Sequence, residues 1–206
     1  MGKITDIQKQ KRNRTRVSIF IDGEFVCGLD EVAVGAARLK IGDEITADEL
    51  KSVMEKSELN SAFERAVGYL SIAPRAKKEI YRYLADKGYD KVIIEQAIDK
   101  LVSYHYIDDY LYAQTYIKSK SKKYGAFRIS AELKQKGIAQ SVIDELLDDA
   151  SEDSITDIAR KYINTHKSAD RQKLKRFLAG RGFSWDSINA VVAQLSSELD
   201  GDDDYE

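Results

Sequence analysis

The chain has one cysteine, Cys27, one proline, Pro74, and no apolar run approaching the ~18 residues of a membrane span. The lone cysteine excludes an internal disulfide framework and is compatible with a reducing compartment. Met1 to Arg16 is polar, so no signal peptide is expected and the protein is assigned to the cytoplasm, away from membranes. So little proline leaves long helices uninterrupted. Charge of one sign is missing as well: 33 basic and 35 acidic side chains leave a net charge of -2, so the whole molecule exerts no strong pull on nucleic acid.

Catalytic patterns are also absent. There is no G-x-x-x-x-G-K-[ST] loop, no G-x-G-x-x-G and no H-E-x-x-H. His105 and His166 have no cysteine companion and are expected at the surface or at helix ends, not on zinc. Asp108 and Asp109 form a carboxylate pair, but acids placed there suit a helix N-terminus, where free amides and the positive end of the dipole meet them. No enzyme activity, metal or cofactor is expected.

What is present is helical and repeated. The stretch Arg128 to Ile138 pairs Ile129 with Leu133 one turn apart, puts Lys134 and Lys136 in the last turn, and ends at Gly137. Lysines there complement the helix dipole, and glycine takes the left-handed cap cheaply. The pattern occurs upstream as Ile80, Leu84 and Gly88, and downstream as Leu174, Leu178 and Gly182. The three glycines lie roughly 45 to 50 residues apart, a spacing typical of stacked helical units. Six residues past each come Ile94, Ile143 and Ile188; ten past come Ile98, Leu147 and Val192. The expected fold is mainly α: a tandem array of three three-helix repeats over 61–106, 107–151 and 152–199. The chain should be roughly 60–75% helix, well above the ordinary third. A short acidic tail, 200–206, follows and is expected to lack structure.

Residues 1–60 read as a small module with a β-hairpin. Thr15–Phe20 and Glu24–Leu29 flank Ile21-Asp22-Gly23, and Asp-Gly suits a tight turn needing two positive φ angles. A short helix begins after Asp30, with Val32, Val34 and Leu39 partly buried. Leu39 to Ile45 suggests a strand or turn. Thr46 and Glu49 form a capping box, so a helix starts near Ala47. It either stops near Asn60 or runs into the first repeat. In that repeat Ala62, Phe63, Ala66, Val67 and Leu70 make one helical face. Pro74 suits the start of the second helix. Asp90 caps a third carrying Val92, Ile94, Ile98, Leu101 and Val102. Ala139 stands where the other repeats have Asp90 and Ser184, so the middle unit lacks a side-chain cap. Ser168 lies near the start of the third repeat's second helix, and Trp185 reads as a packing anchor.

Charge comes in blocks: basic at Lys9–Arg16, Lys118–Lys136 and Arg171–Arg181, acidic at Asp144–Asp157 and Glu198–Glu206. Solvated helix faces explain such blocks as readily as a binding patch does. A patch acts only at close range, since screening limits reach to about 8 Å. The candidate partner-binding or DNA-binding residues are Lys118, Lys120, Lys122, Lys123, Arg128, Lys134 and Lys136 in the second repeat, with Arg171, Lys173, Lys175, Arg176 and Arg181 in the third. Glu132 is the only acid from Lys118 to Lys136. By helical spacing Lys118 and Lys122 share a face, as do Lys120 and Lys123, so the patch is not one flat stripe on one helix. Tyrosines are dense between Tyr69 and Tyr124. Tyr112 and Tyr116 read as half-buried packing, and Tyr124 as the best exposed stacking candidate.

These residues resemble the RecX family of bacterial recombinase regulators. The resemblance covers nearly the whole chain and rests on order and spacing. Arg75-Ala76-Lys77-Lys78-Glu79-Ile80 through Leu84 and Lys87-Gly88 is similar to one family run. Tyr106-Ile107-Asp108-Asp109 with Tyr112-Ala113 and Tyr116 is similar to a second. Lys118–Lys123, Gly125, Arg128-Ile129, Glu132-Leu133 and Lys136-Gly137-Ile138 resemble the third, most recognisable one. The hairpin matches the longer members of Gram-positive bacteria. Ala126 and Ala76 depart from the family, which often has proline and serine there.

The resemblance implies a non-enzymatic, monomeric regulator of homologous recombination and DNA repair, linked to the SOS response. Such proteins lie in the groove of the RecA–single-stranded-DNA filament and usually restrain it. A helical array offers a surface suited to successive subunits of a polymer, and alternating charge suits a charged partner. Two other readings stay open: a basic helical-repeat protein binding single- or double-stranded DNA directly, and a helical scaffold for an unrelated partner.

Overall fold

A computed structural model describes residues 1–11, 13–148, 154–166 and 170–199. The chain divides into two units, Met1–Ile107 and Asp108–Glu206. Of the described residues, 63% are helical, in eleven helices. Ser168, the 200–206 tail and the boundary near residue 151 lie outside the described residues.

The first unit opens with strands β1 (Gly2–Lys9), β2 (Arg16–Ile21) and β3 (Glu24–Asp30). β2 and β3 form the expected hairpin, with Asp22 at φ 52° and Gly23 at φ 90° in its turn. β1 adds a third antiparallel strand that period-two alternation does not reveal, because Ile4 and Ile7 are three residues apart. The register shifts at a bulge between Ile4 and Asp6, and both isoleucines face inward: Ile4 is fully buried and Ile7 packs against the core. Helix α1 (Glu31–Ala36) follows, then the short strand β4 (Glu44–Ile45), which pairs with β1 and completes the sheet order β3-β2-β1-β4.

Helix α2 (Ala47–Leu70) starts at the Thr46/Glu49 capping box and runs unbroken past Asn60, so sheet and first repeat share one helix. Asp30 and Ser57 are buried polar groups, and both are satisfied. The Asp30 amide donates to the Ser57 hydroxyl at 2.6 Å. The Asp30 carboxylate accepts from the Val32 amide and from Asn60 Nδ2. Val32 itself is 67% exposed, not partly buried as its apolar nature suggests; Ala33 and Val34 take the inner face.

Helices α3 (Lys77–Asp86) and α4 (Lys91–Ser103) complete the first repeat. Pro74 lies three residues before α3, in the connection, so it does not occupy the first helical position. The Ala76 amide is satisfied by the Glu79 carboxylate instead. Asp90 caps α4 through the Val92 amide, but the Val92 side chain is exposed and Ile93 faces the core.

The second unit holds α5 (Asp109–Lys120), α6 (Ala126–Gln135) and α7 (Gln140–Asp148), then α8 (Ser154–Thr165), α9 (Arg171–Gly180), α10 (Trp185–Gln194) and the short α11 (Ser196–Leu199). The repeat pattern is visible in burial. Ile80, Leu84, Ile129, Leu133, Leu174 and Leu178 are all at most 1% exposed. Gly88, Gly137 and Gly182 have φ of 86°, 87° and 83°. In each case the following residue, Tyr89, Ile138 or Phe183, donates its amide to the carbonyl five residues back and closes the helix end. Ile94, Ile143 and Ile188 are buried as expected. The second inward position is nine residues past the glycine, at Ala97, Leu146 and Val191, with Ile98 and Leu147 only half-buried at ten.

Candidate functional site

The distinctive surface of the second unit is a ladder of cations and rings. Asp108 caps α5 by accepting from the amides of Tyr110 and Leu111, and its expected role at a helix start is met. Ala113 and Ile117 then point inward, leaving Tyr112 and Tyr116 half-buried beside them and stacked at 6.0 Å. The Lys136 ammonium lies 5.6 Å from the centre of Tyr112 and 5.7 Å from that of Tyr116. Lys120 lies 5.4 Å from Tyr116 and 5.8 Å from Tyr124. The Arg128 guanidinium sits 3.9 Å from Tyr124, with Arg181 at 5.9 Å from the same ring. Cations within about 6 Å of a ring face are held by its quadrupole while keeping their charge.

Glu132, the one acid among them, is engaged. It accepts from the Tyr116 hydroxyl at 2.6 Å and from Arg128 Nε at 3.1 Å. The Tyr116 hydrogen bond, then Arg128, holds its carboxyl below the usual range. Burial, reinforced by Glu132, pushes the Tyr116 phenol up. The pair therefore stays fixed across physiological pH.

The candidate residues separate into groups. Lys120, Arg128, Lys136 and Arg181 form the ladder. Lys122 and Lys123 do not lie on a helix, because α5 ends at Lys120 and a turn carries them; the face-sharing expected from helical spacing fails there. With Arg181 they line an open groove of about 490 Å³. Lys118 and Lys134 stand exposed on α5 and α6, outside the ladder. Lys173 pairs with the α9 cap Asp170 at 3.2 Å, and Arg176 Nε donates to the Gln172 carbonyl. Arg171 and Lys173 occupy the opposite end of α9 from Arg181, and Lys175 is half-buried between them.

Tyr124 is half-buried under Arg128 and is not a freely exposed ring. Trp185 is 60% exposed, so it is not a packing anchor; the first turn of α10 points it outward. Phe127, at 69%, is another exposed ring. The groove adds residues that charge blocks do not reveal: Lys161 and Tyr162 on α8, His166 just past its end, and Phe177 on α9. Their sequence signal is slight, an aromatic and a histidine four apart on one helix face. His105, by contrast, lies two residues past the end of α4, exposed and at φ 58°. Among the described residues no group of three or more histidine, cysteine or acidic side chains is placed to hold a metal. No described helix is long and apolar enough to cross a membrane.

Four family models match in chain order: the Regulatory protein RecX N-terminal domain at residues 2–46, and the first, second and third RecX three-helix domains at 62–101, 108–147 and 150–192. The chain belongs to the RecX family. The regulatory protein RecX of Clostridium tetani is 33% identical over 95% of both chains. That of Clostridium acetobutylicum is 32% identical over 95% of this chain and 97% of its own. A crystal structure of a regulatory protein RecX superposes with a TM-score of 0.74 at 25% identity, covering 96% of this chain and all of the other. RecX from Lactobacillus salivarius shares the fold over 68% of this chain, with a TM-score of 0.62. Within this RecX-family chain the two departures leave helix starts intact: α6 begins at Ala126 after Gly125, and α3 begins directly after Ala76.

Proposed function

We propose that this RecX-family protein regulates the RecA recombinase by binding the RecA–single-stranded-DNA filament with the cation–ring ladder, and that binding restrains the filament. The supporting observation is that Lys120, Arg128, Lys136 and Arg181 are each seated against a ring. Charges already held in place lose less side-chain freedom on docking. Glu132, the one acid in the sequence from Lys118 to Lys136, is occupied by Tyr116 and Arg128. Carboxylates of a recombinase complement such a surface, and complementarity fixes register along a repeating partner. The protein acts by occupancy rather than chemistry, as a monomer in the cytoplasm, in recombination and repair. Direct binding to single- or double-stranded DNA is the second reading, because cations alternating with rings also suit a nucleic acid strand.

The test measures the full chain against RecA filament, bare RecA and bare single-stranded DNA at one salt concentration. Tightest binding to the filament supports the proposal. Equal affinity for bare DNA and filament would replace it with the direct-DNA reading.

A further inference from the structure

The groove beside the ladder combines features that neither its cations nor its rings explain alone. One wall is α8 with the residue that follows it: Lys161 lies one turn before Thr165, and His166, just past the helix end, lies one turn beyond Tyr162 and donates its amide to the Tyr162 carbonyl at 3.1 Å. The His166 ring stacks on Tyr162 at 4.2 Å and 22°, and Tyr162 stacks on Phe177 at 4.2 Å and 28°. The Arg181 guanidinium lies 4.5 Å from the Phe177 centre. The result is a pile of three near-parallel rings, with a guanidinium beside the last, at a solvent-open wall.

The facing wall is the turn with Lys122 and Lys123. It is pinned twice: the Ser154 hydroxyl donates to the Ser121 carbonyl at 2.6 Å, and Arg181 Nη1 donates to the Lys123 carbonyl at 2.9 Å. No carboxylate is among the described residues lining the groove. Its volume of about 490 Å³ lies in the range of small-ligand sites.

We propose that this groove holds one nucleotide of a single-stranded nucleic acid, with the base against the His166–Tyr162–Phe177 pile and the phosphate among Lys122, Lys123 and Lys161. An acidic peptide would use the cations but leave the planar pile unused. A strand with unstacked bases uses both, since every base has a face to stack and every linkage a charge. The site needs no recombinase, so it stands or falls separately from filament binding.

The test is fluorescence anisotropy of the full chain with a labelled oligothymidine of about twelve nucleotides, within the span of one single-strand binding site. The probes for comparison are the same oligomer with abasic sugars and a polyglutamate of matched charge. The abasic oligomer should bind about tenfold more weakly, because it keeps the phosphates and loses the bases. H166A, at an exposed position, should weaken oligothymidine binding and leave the abasic oligomer unaffected. K161E, also exposed, should flatten the log–log salt dependence by about 0.7. Circular dichroism confirms that both variants are folded. Abasic oligomer or polyglutamate binding as tightly as oligothymidine overturns the proposal, as does unchanged affinity and salt slope in folded H166A and K161E.

Discussion

The main-chain amide of Gly125 donates to the carbonyl of Arg181 at 3.0 Å, and two residues on the Phe127 amide donates to the Gly182 carbonyl at 3.1 Å. The carbonyls just past the end of α9 thus satisfy amides at the start of α6, which has no side-chain cap of its own. Gly125 has an ordinary φ of -79°, but a Cβ there would strike Gly182 and Phe183 backbone. Gly125→Ala should therefore cost about 1–3 kcal/mol, the usual range for overpacking. Gly88 and Gly182 share a left-handed φ, yet only Gly182 is crowded, by Arg128. Gly88→Ala should cost about 1–2 kcal/mol from φ alone, and Gly182→Ala distinctly more. Urea denaturation of the three variants checks the order; equal costs for Gly88→Ala and Gly182→Ala would contradict the joint.

The Tyr116–Glu132 pair makes a pH prediction with two limbs. Glu132 has a depressed folded pKa, so its contribution is present above its unfolded value near 4.5 and is lost as pH falls below it. Tyr116 has a raised folded pKa, so its contribution is complete below its unfolded value of 10.0 and is lost as pH rises beyond. Tyr116→Phe should remove the alkaline loss and reduce the acid one. Denaturation midpoints across pH read both limbs, and an unchanged profile in the variant would remove the pair from the account.

Position along α9 separates the third-repeat cations. Arg181 joins the ladder and the groove, whereas Lys173 is paired with Asp170 at the other end. Arg181→Glu should weaken filament binding at least tenfold, and Lys173→Glu less than about twofold, because exposed ion pairs are worth little. Loss of equal size in both would show that the whole of α9 docks.

Trp185 is the only tryptophan and is 60% exposed. Its native emission should resemble that of a solvated indole and be quenched readily by acrylamide. Trp185→Ala should leave stability within about 0.5 kcal/mol, against about 2–5 kcal/mol for Leu178→Ala in the same repeat. A blue-shifted, unquenched emission would place the indole in a core.

The repeats were legible because the same physics recurs three times: an apolar pair one turn apart, then a glycine whose φ only that residue adopts cheaply. Cap residues such as Asp90, Ser184 and Thr46 were legible for the same local reason. The strand β1 was not, since a bulge breaks the period that identifies strands. Val32, Val92 and Trp185 mislead because an apolar residue in a helix's first turn need not face inward. For the candidate site, charge density in the sequence draws attention to Lys120, Arg128 and Lys136, but their seats over Tyr112, Tyr116 and Tyr124 depend on two helices meeting. Lys161 and His166 lie outside the basic blocks, and only the packing of α8 against the α5 turn brings them to the groove.

The central claim is that the ladder engages the RecA filament. It is tested most directly by ATP turnover of RecA on single-stranded DNA over a salt series, with the wild-type chain and with Lys120→Glu/Lys136→Glu, two ladder residues outside the groove, confirmed folded. The account predicts that the wild type suppresses turnover and that the double variant does so at least tenfold less effectively. Full suppression by the folded double variant would contradict it.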